Sequence, residues 1–318
     1  MPELVMHIGR HKSGTSSLQH WLSRNREHLA KQGICYPWAG STNVIAHHAL
    51  ADALNPAREN THKLKDLTDQ ISAECKEAKT VLLSSEAFQN ISDMSLVQTL
   101  VTALGATQVR VICYVREHMD YAVSAYRQMV HAQARFLTFK DFIARFQSMD
   151  TFIARWRNVG DLDLSWYDRS LLREGDIVCD FCHRVGIHAE DFSIADKNPS
   201  IGGNLLAYKL AANRLGRDAG SYKMLSALAT SHQPFREGFR IEYEAAARIR
   251  ADSTYNASLF YALGPVALKH WDAMPSAPNL GSIDVDVSLI EEALAKRLAQ
   301  DHIDAMRASS EWFELDNA

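Results

Sequence analysis

Short apolar runs alternate with segments of helical spacing along the first two thirds of the chain. These runs predict strands at Leu4–Ile8, Gly33–Pro37, Lys79–Glu86, Gln108–Arg116 and Asp161–Tyr167. The intervening segments, among them Lys63–Ala78 and Asp93–Leu104, carry apolar residues at helical spacing. Strands separated by helices predict an α/β fold in which a parallel sheet is covered by helices on both faces.

The last third of the chain has a different pattern. Apolar residues recur at helical spacing in Leu205–Leu215 and Val287–Leu298, and the strongest breakpoints are Pro199–Gly203 and Pro275–Pro278. We therefore expect an α/β core over residues 1–200 and a helix-rich region over residues 201–318. The two regions are predicted to pack as one continuous domain.

The first strand leads into a loop of small and basic residues that begins at Gly9. A helix then opens at Thr15–Ser17, with Leu18, Trp21 and Leu22 on one face. Loop N–H groups and the helix dipole both direct positive charge at an anion, so this arrangement is typical of a phosphate cradle. The alternative is an ordinary strand, turn and helix with a surface lysine. We interpret the segment as the binding site of a phosphorylated cofactor.

The position of the lysine narrows the choice of cofactor. Gly9 and Gly14 keep the glycine spacing of a Walker A loop, but Thr15 occupies the lysine position and the lysine is at Lys12. The sequence HKSGTSSLQ resembles the 5′-phosphosulfate loop of the sulfotransferases, P-K-[ST]-G-T-[ST]-x-L, with His11 in place of the proline. The resemblance implies 3′-phosphoadenosine 5′-phosphosulfate (PAPS) as donor and a three-layer α/β fold like that of the P-loop NTPases.

The same resemblance implies roles for the loop residues. Lys12 would neutralise the charge that builds on the leaving product, adenosine 3′,5′-bisphosphate, and no metal would be needed. The sulfuryl group would pass in line to a hydroxyl or amine. The residues implied in donor binding at this loop are Arg10, His11, Lys12, Ser13, Gly14, Thr15, Ser16 and Ser17.

A second motif lies about a hundred residues further on. Arg116 ends an apolar run, and Ser124 follows eight residues later on a segment with helical spacing. Taken alone, this spacing carries little information, because arginine and serine are common. The segment resembles the sulfotransferase signature in which such a pair holds the cofactor's 3′-phosphate. Arginine suits that role because its planar guanidinium can bind phosphate oxygens bidentately.

Two residues compete for the role of general base. Glu86 follows a predicted central strand, and ligands of open α/β sheets bind beyond the carboxyl ends of strands. Several carbohydrate sulfotransferases place a base there, although Glu86 could instead cap the following helix, with Ser84 or Ser85 turning the chain. His48, in the pair His47–His48 at a helix start, is the second choice.

Basic residues late in the chain are weaker candidates. Arg236, in the segment Phe235–Arg240, could fold over the 3′-phosphate as a late basic loop does in many sulfotransferases, or lie in a solvated turn. In Lys197–Ser200, Asn198 and Ser200 most simply cap the next helix.

Composition limits the class of protein. The 318 residues are 47% hydrophobic and 23% charged, enough for a large core, and the net charge of −4 argues against nucleic acid or anionic membranes as partners. Five cysteines show no disulfide-framework spacing, which is typical of a reducing compartment. Cys179 and Cys182 are interpreted as core thiols rather than zinc ligands.

The N-terminus leads directly into the first strand, with no segment typical of a signal peptide or membrane span. We therefore expect a cytoplasmic, bacterial protein. Its acceptor would be a small molecule or glycan, and the sequence leaves open a sugar, lipid, phenol or peptide hydroxyl. The oligomeric state is not predicted.

Two other functions remain open at this point. One is a nucleotide-dependent kinase of the same fold, in which Ser16 would ligate Mg²⁺ and ATP would replace PAPS. The other is a binding protein that keeps the phosphate cradle but has lost the base.

Overall fold

The computed structural model describes residues 1–10, 12–57, 61–189, 191–192, 200–237, 241, 243–266 and 283–315. The chain divides into two compact units. The first comprises residues 1–116, 149–195 and 261–264, and the second comprises 117–148, 196–260 and 265–318. This division differs from the predicted boundary at residue 200, because residues 117–148 belong to the second unit. The predicted breakpoint Pro275–Pro278 and most of Lys197–Ser200 lie outside the described residues.

The first unit is built on a parallel sheet. Its five strands, in the part of the chain that the structure describes, lie in the order β2-β3-β1-β4-β5. Their bounds are β1 (Glu3–His7), β2 (Ile34–Cys35), β3 (Thr80–Ser84), β4 (Gln108–Val115) and β5 (Asp161–Trp166). All five of the predicted strands are therefore confirmed, with shorter bounds at most ends.

Burial on both faces explains why these strands are continuous runs of apolar residues in the sequence. Leu4, Val5 and Met6 alternate between the two faces of β1, and all three are fully buried. The central strand β1 pairs with β3 on one side and β4 on the other, with Met6 in register with Leu83 and Val111. A sheet buried in this way needs helices on both sides.

Helices make up most of the remaining chain. In chain order the described α-helices are α1 (Thr15–Arg24), α2 (Arg26–Lys31), α3 (His48–Ala53), α4 (Leu64–Glu74), α5 (Ser95–Ala103), α6 (His118–Ala132), α7 (Phe139–Ile143), α8 (Asp150–Arg157), α9 (Ile177–Val185), α10 (Gly203–Arg214), α11 (Tyr222–Ser231), α12 (Tyr243–Asp252), α13 (Thr254–Leu263), α14 (Ile283–Leu294) and α15 (Gln300–Arg307). The helix predicted to reach Leu298 ends at Leu294, because Ala295 turns the chain with a positive φ of 49°. No helix among the described residues is long and apolar enough to span a membrane.

Each unit has its own apolar core. In the first unit, α1 and α9 pack on one face of the sheet through residues that include Leu18 and Phe181, which lie against Val5 and Ile112. In the second unit, helices α6, α10, α11, α14 and α15 meet around a separate core. Its fully buried members include Tyr126, Leu205, Leu225, Ile290 and Met306.

The strand order fixes where a ligand can bind. From β1 the chain moves to β2 at one edge, and then turns back across the sheet to β3 and β4. Right-handed crossovers in opposite directions place α1 on one face and α4 and α5 on the other. The crossover direction therefore reverses between β1 and β3, and ligands of such sheets bind beyond the strand ends at the point of reversal. This is the three-layer α/β arrangement predicted above.

The cysteines require one correction. Cys35 on β2 and Cys75 after α4 form a disulfide, with their Cα atoms 5.5 Å apart, whereas the sequence predicted reduced cysteines. They meet because the end of α4 folds back on the chain after β2, where Glu74 accepts hydrogen bonds from the Trp38 and Ala39 N–H groups. Spacing along the sequence does not reveal this contact.

Cys179 and Cys182 are free, buried thiols, as predicted, and Cys113 is one as well. Burial raises the pKa of both Cys113 and Cys182 to about 12, so these thiols stay protonated near neutral pH. Among the described residues no cluster of histidine, cysteine and acidic side chains could hold a metal ion.

We predict that reducing the Cys35–Cys75 disulfide lowers the free energy of unfolding by about 2–4 kcal/mol, because the bond restricts the unfolded chain. Urea unfolding with and without a phosphine reductant measures the effect. The double variant Cys35→Ser/Cys75→Ser is the control and should not respond to reductant. Equal stability of the native protein with and without reductant would contradict the prediction.

Candidate functional site

A tight loop joins β1 to α1 at the carboxyl edge of the sheet. Lys12 and Gly14 both adopt left-handed backbone conformations, with φ of 65° and 73°. The buried Ser13 hydroxyl donates to the Arg10 carbonyl at 2.5 Å, and the Ser13 N–H reaches the same oxygen at 3.3 Å. These two hydrogen bonds hold residues 10–13 in a tight turn. His11, predicted at the proline position of the motif, lies outside the described residues.

Both glycines of the motif are required by close contacts. A Cβ at Gly9 would lie 2.1 Å from the Thr15 methyl group, and a Cβ at Gly14 would lie 2.7 Å from the ring of Tyr167. The positive φ of Gly14 adds a second reason, since side chains rarely adopt that conformation. The loop can therefore pass close to α1 and Tyr167 only with glycine at these positions.

The loop leads directly into the first turn of α1. Gly14 precedes the helix and provides no side-chain cap, and the first helical hydrogen bond runs from the Leu18 N–H to the Gly14 carbonyl at 3.2 Å. The N–H groups of Thr15, Ser16 and Ser17 precede that bond and have no acceptor within the helix. Together with the helix dipole they form a site suited to an anion.

Arg116 ties this loop to the neighbouring strand. It follows β4, its Nε donates to the Lys12 carbonyl at 2.5 Å, and its guanidinium lies 4.6 Å from the centre of the Tyr167 ring. Tyr167 in turn packs against Gly14. Arg116, which was predicted to hold a 3′-phosphate, therefore also has a structural role, because it holds the backbone of the loop.

The other two predicted donor residues belong to the second unit. Ser124 lies half-buried on α6, six residues after its first residue, His118. Arg236 ends a short 3₁₀ helix, Gln233–Arg236, with an exposed side chain, and its carbonyl accepts a hydrogen bond from Arg127 at 2.5 Å. Their predicted roles toward a 3′-phosphate stay predictions.

The two competing bases are neighbours. Glu86 follows β3 and His48 begins α3, and their Oε1 and Nε2 atoms are 3.7 Å apart. Both side chains reach solvent, with exposed fractions of 20% for Glu86 and 34% for His48. The other carboxylate oxygen, Oε2, accepts a hydrogen bond from Gln19 on α1 at 2.9 Å. The sequence ranked these residues as alternatives, whereas the structure makes them one pair.

Ser85 orients the histidine of this pair. Its Oγ accepts the Ala87 N–H at 3.1 Å, which caps the 3₁₀ helix Glu86–Asn90, and lies 2.7 Å from His48 Nδ1. Donation of the Ser85 hydroxyl hydrogen to Nδ1 would place the histidine hydrogen on Nε2, the nitrogen that lies near Glu86. The capping role suggested for this segment therefore falls to Ser85, and Glu86 keeps its carboxylate on the surface.

Buried histidines support the strand ends. His47 is fully buried, and its Nδ1 accepts a hydrogen bond from the Ser84 N–H at 3.1 Å. His7, in register with Ser84, places its Nδ1 2.7 Å from the Ser84 hydroxyl. Burial lowers the pKa of each histidine to about 4, so both are neutral near neutral pH.

Sequence reasoning missed three residues of this site. Gln19, Ser85 and Tyr167 were not assigned to the site, and each acts through a contact that only the folded chain creates. A signal existed for Gln19, because it lies one residue from the apolar face of the first helix. Nothing in the sequence indicated that Tyr167 would support both Gly14 and Arg116.

Comparisons with known proteins add little to this geometry. No protein-family model matches the chain, and no curated protein matches it. Among solved structures, a sulfotransferase from Alicyclobacillus acidocaldarius is similar at 16% sequence identity, over 70% of this chain and 99% of that chain. The TM-score is 0.36, and a match of that quality supports no inference about what this chain does.

We predict that Arg116→Lys destabilises the ligand-free protein by about 1–2 kcal/mol, because lysine cannot both bond the Lys12 carbonyl and stack on Tyr167. Thermal or urea unfolding measures the loss. Arg24→Lys, at an exposed position at the end of α1, keeps the same chemistry and should change stability very little. Equal stability of the two variants would show that Arg116 does not hold the loop.

Proposed function

We propose that this protein is a sulfotransferase that uses PAPS as donor and transfers a sulfuryl group to the hydroxyl of a small-molecule or glycan acceptor. The observation that carries the proposal is the edge of the sheet where β3, β1 and β4 end side by side. Glu86, with His48 beside it, follows β3. The loop with Lys12 follows β1, and Arg116 follows β4. These are the three groups that the sequence resemblance implied.

The loop fits the 5′ end of such a donor. The first-turn N–H groups of α1 can donate hydrogen bonds to phosphate oxygens, and the left-handed Lys12 belongs to the loop that leads to them. When bound, PAPS supplies an activated sulfuryl group. Lys12 would then bind the bridging oxygen and neutralise its negative charge, an effect worth a few kcal/mol of barrier in comparable sites.

The contacts of Glu86 and His48 favour Glu86 as the base. With the Ser85 hydroxyl donating to His48 Nδ1, Nε2 would carry the histidine hydrogen. In that tautomer the imidazole would have no lone pair for the acceptor's proton. The Glu86 carboxylate has Oε1 available beside His48, and Gln19 fixes Oε2. We infer that Glu86 takes the proton and that His48 holds the carboxylate or the acceptor in place.

Adenosine 3′,5′-bisphosphate is predicted to stabilise the protein more than AMP does, because only the former has a 3′-phosphate for Arg116 and Ser124. A ligand at roughly 100 times its Kd adds about 2.7 kcal/mol, which a thermal shift resolves. Ser124→Ala should reduce the difference between the nucleotides, while Ser288→Ala, an exposed helical serine, should preserve it. A larger shift with ATP–Mg²⁺ than with the bisphosphate would favour a kinase instead.

Glu86→Gln is predicted to lower kcat by about 10²–10³, because the amide keeps the shape of the side chain and loses its basicity. Donor binding, measured by calorimetry with adenosine 3′,5′-bisphosphate, should not change. His48→Asn should mainly raise KM for the acceptor. If Glu86→Gln turned over at a normal rate and His48→Asn did not, the base would be His48.

A further inference from the structure

The Cys35–Cys75 disulfide lies beside a cavity of the first unit. The cavity has a volume of about 530 Å³, within the range of pockets for small molecules, and is lined by described residues of α2, β2 and the end of α4 with their neighbours. Cys35 is partly exposed and belongs to this lining, whereas Cys75 is buried, with 5% of its surface exposed. A small molecule can therefore approach the bond from the side of Cys35.

The strand that carries Cys35 is short and lies at an edge of the sheet. It consists of Ile34 and Cys35, and in the part of the chain that the structure describes it pairs with β3 alone. Strands of globular proteins usually have about five or six residues, so β2 has few main-chain hydrogen bonds to hold it. The disulfide adds a covalent link from β2 to the end of α4. The position of β2 therefore depends on this bond.

The chain that follows Cys35 reaches His47 through a series of contacts. Tyr36 is buried, its hydroxyl donates to the Ile45 carbonyl at 2.6 Å, and its ring meets the His47 ring edge-on, with the ring centres 4.8 Å apart. His47 Nε2 also lies 3.1 Å from the Pro37 carbonyl. The first residues after Cys35 thus pack directly against the residues that precede α3.

The end of α4 holds the same segment next to the disulfide. Glu74, the residue before Cys75, accepts hydrogen bonds from the Trp38 N–H at 2.6 Å and the Ala39 N–H at 3.0 Å. Because Glu74 and Cys75 are adjacent, the disulfide keeps this carboxylate beside the two N–H groups. Opening the bond would free the end of α4 and the end of β2 at the same time.

His47 connects this segment to the candidate site. Its Nδ1 accepts a hydrogen bond from the Ser84 N–H at 3.1 Å. The next residue, His48, has its Nε2 atom 3.7 Å from Glu86 Oε1. A displacement of the backbone over residues 36–47 would therefore move His48 relative to Glu86.

We propose that Cys35 is a site of thiol–disulfide exchange with a low-molecular-weight thiol, and that opening the bond makes the segment Tyr36–His48 more mobile. The thiolate attacks Cys35 Sγ and forms a new S–S bond with it. The Cys35–Cys75 bond breaks, and its electron pair goes to Cys75 Sγ, which takes up a proton.

A second molecule of the same thiol completes the reduction. It attacks the first molecule's sulfur in the mixed disulfide, so that Cys35 leaves as a thiol and the two small molecules leave as their own disulfide. The two small thiols thus supply the two electrons, and the oxidised small molecule can reverse both steps. Neither step requires that the protein transfer a sulfuryl group.

Two single variants test which cysteine reacts. Cys75→Ser leaves Cys35 free beside the cavity, and Cys35→Ser leaves Cys75 free in its buried position. With oxidised glutathione as the probe, we expect the first variant to form a mixed disulfide about tenfold faster than the second, because access limits the rate. The buried Cys113 is the internal control and should stay unmodified in both. Equal rates, or a faster reaction at Cys75, would overturn the assignment of Cys35.

The native protein tests the exchange without a substitution. It is incubated with reduced glutathione, quenched with acid and digested for mass spectrometry, and a parallel sample is treated with a maleimide after desalting. We expect glutathione to open the Cys35–Cys75 bond while Cys113 stays unlabelled, which shows that the chain is still folded. A bond that opens only at urea concentrations that also expose Cys113 would contradict exchange in the folded protein.

Histidine signals report the effect on the segment. In a ¹H–¹³C spectrum of the imidazole groups, we expect the signals of His47 and His48 to shift when glutathione opens the bond and to return when oxidised glutathione closes it. The buried His302 of the second unit should not shift. Cys35→Ser/Cys75→Ser should give the spectrum of the reduced protein and respond to neither form. Unchanged signals of His47 and His48 in the reduced, folded protein would refute the effect on the segment.

Discussion

The hydrogen bond from the Arg116 guanidinium to the Lys12 carbonyl joins the end of β4 to the loop that follows β1. That loop holds two left-handed residues in sequence positions 12 and 14, a conformation that a non-glycine residue such as Lys12 adopts at some cost. The bond to Arg116, the Ser13 turn and the Tyr167 ring against Gly14 together hold this conformation. As a result, α1 begins without a side-chain cap at the edge of the sheet where the crossover direction reverses.

The proposed proton transfer at this edge depends on a second set of contacts. Ser85 both caps the segment after β3 and contacts His48 Nδ1, and Gln19 from α1 donates a hydrogen bond to one oxygen of Glu86. The helix whose N–H groups would bind the proposed donor thus also positions the Glu86 carboxylate, through the side chain of Gln19. Donor binding and proton transfer would therefore be coupled through α1.

The sequence predicted the elements that depend on local pattern. The apolar runs of β1, β3 and β4 are buried on both faces, so their positions and their strand-end residues Lys12, Glu86 and Arg116 could be read directly. The pairing of Glu86 with His48 could not be predicted from the sequence. It depends on how the chain returns to the sheet over the 38 positions that separate the two residues. The Cys35–Cys75 disulfide and the two-unit division depend in the same way on contacts that are distant in sequence.

The central claim is that the start of α1 binds the 5′-phosphate of a 3′-phosphorylated adenosine nucleotide. Backbone amide NMR of the protein titrated with adenosine 3′,5′-bisphosphate tests this most directly. The account predicts the largest shifts at Gly14, Thr15, Ser16 and Ser17, because these N–H groups would exchange water for phosphate oxygens. Saturable binding that leaves these four amides unchanged and shifts others would contradict the account.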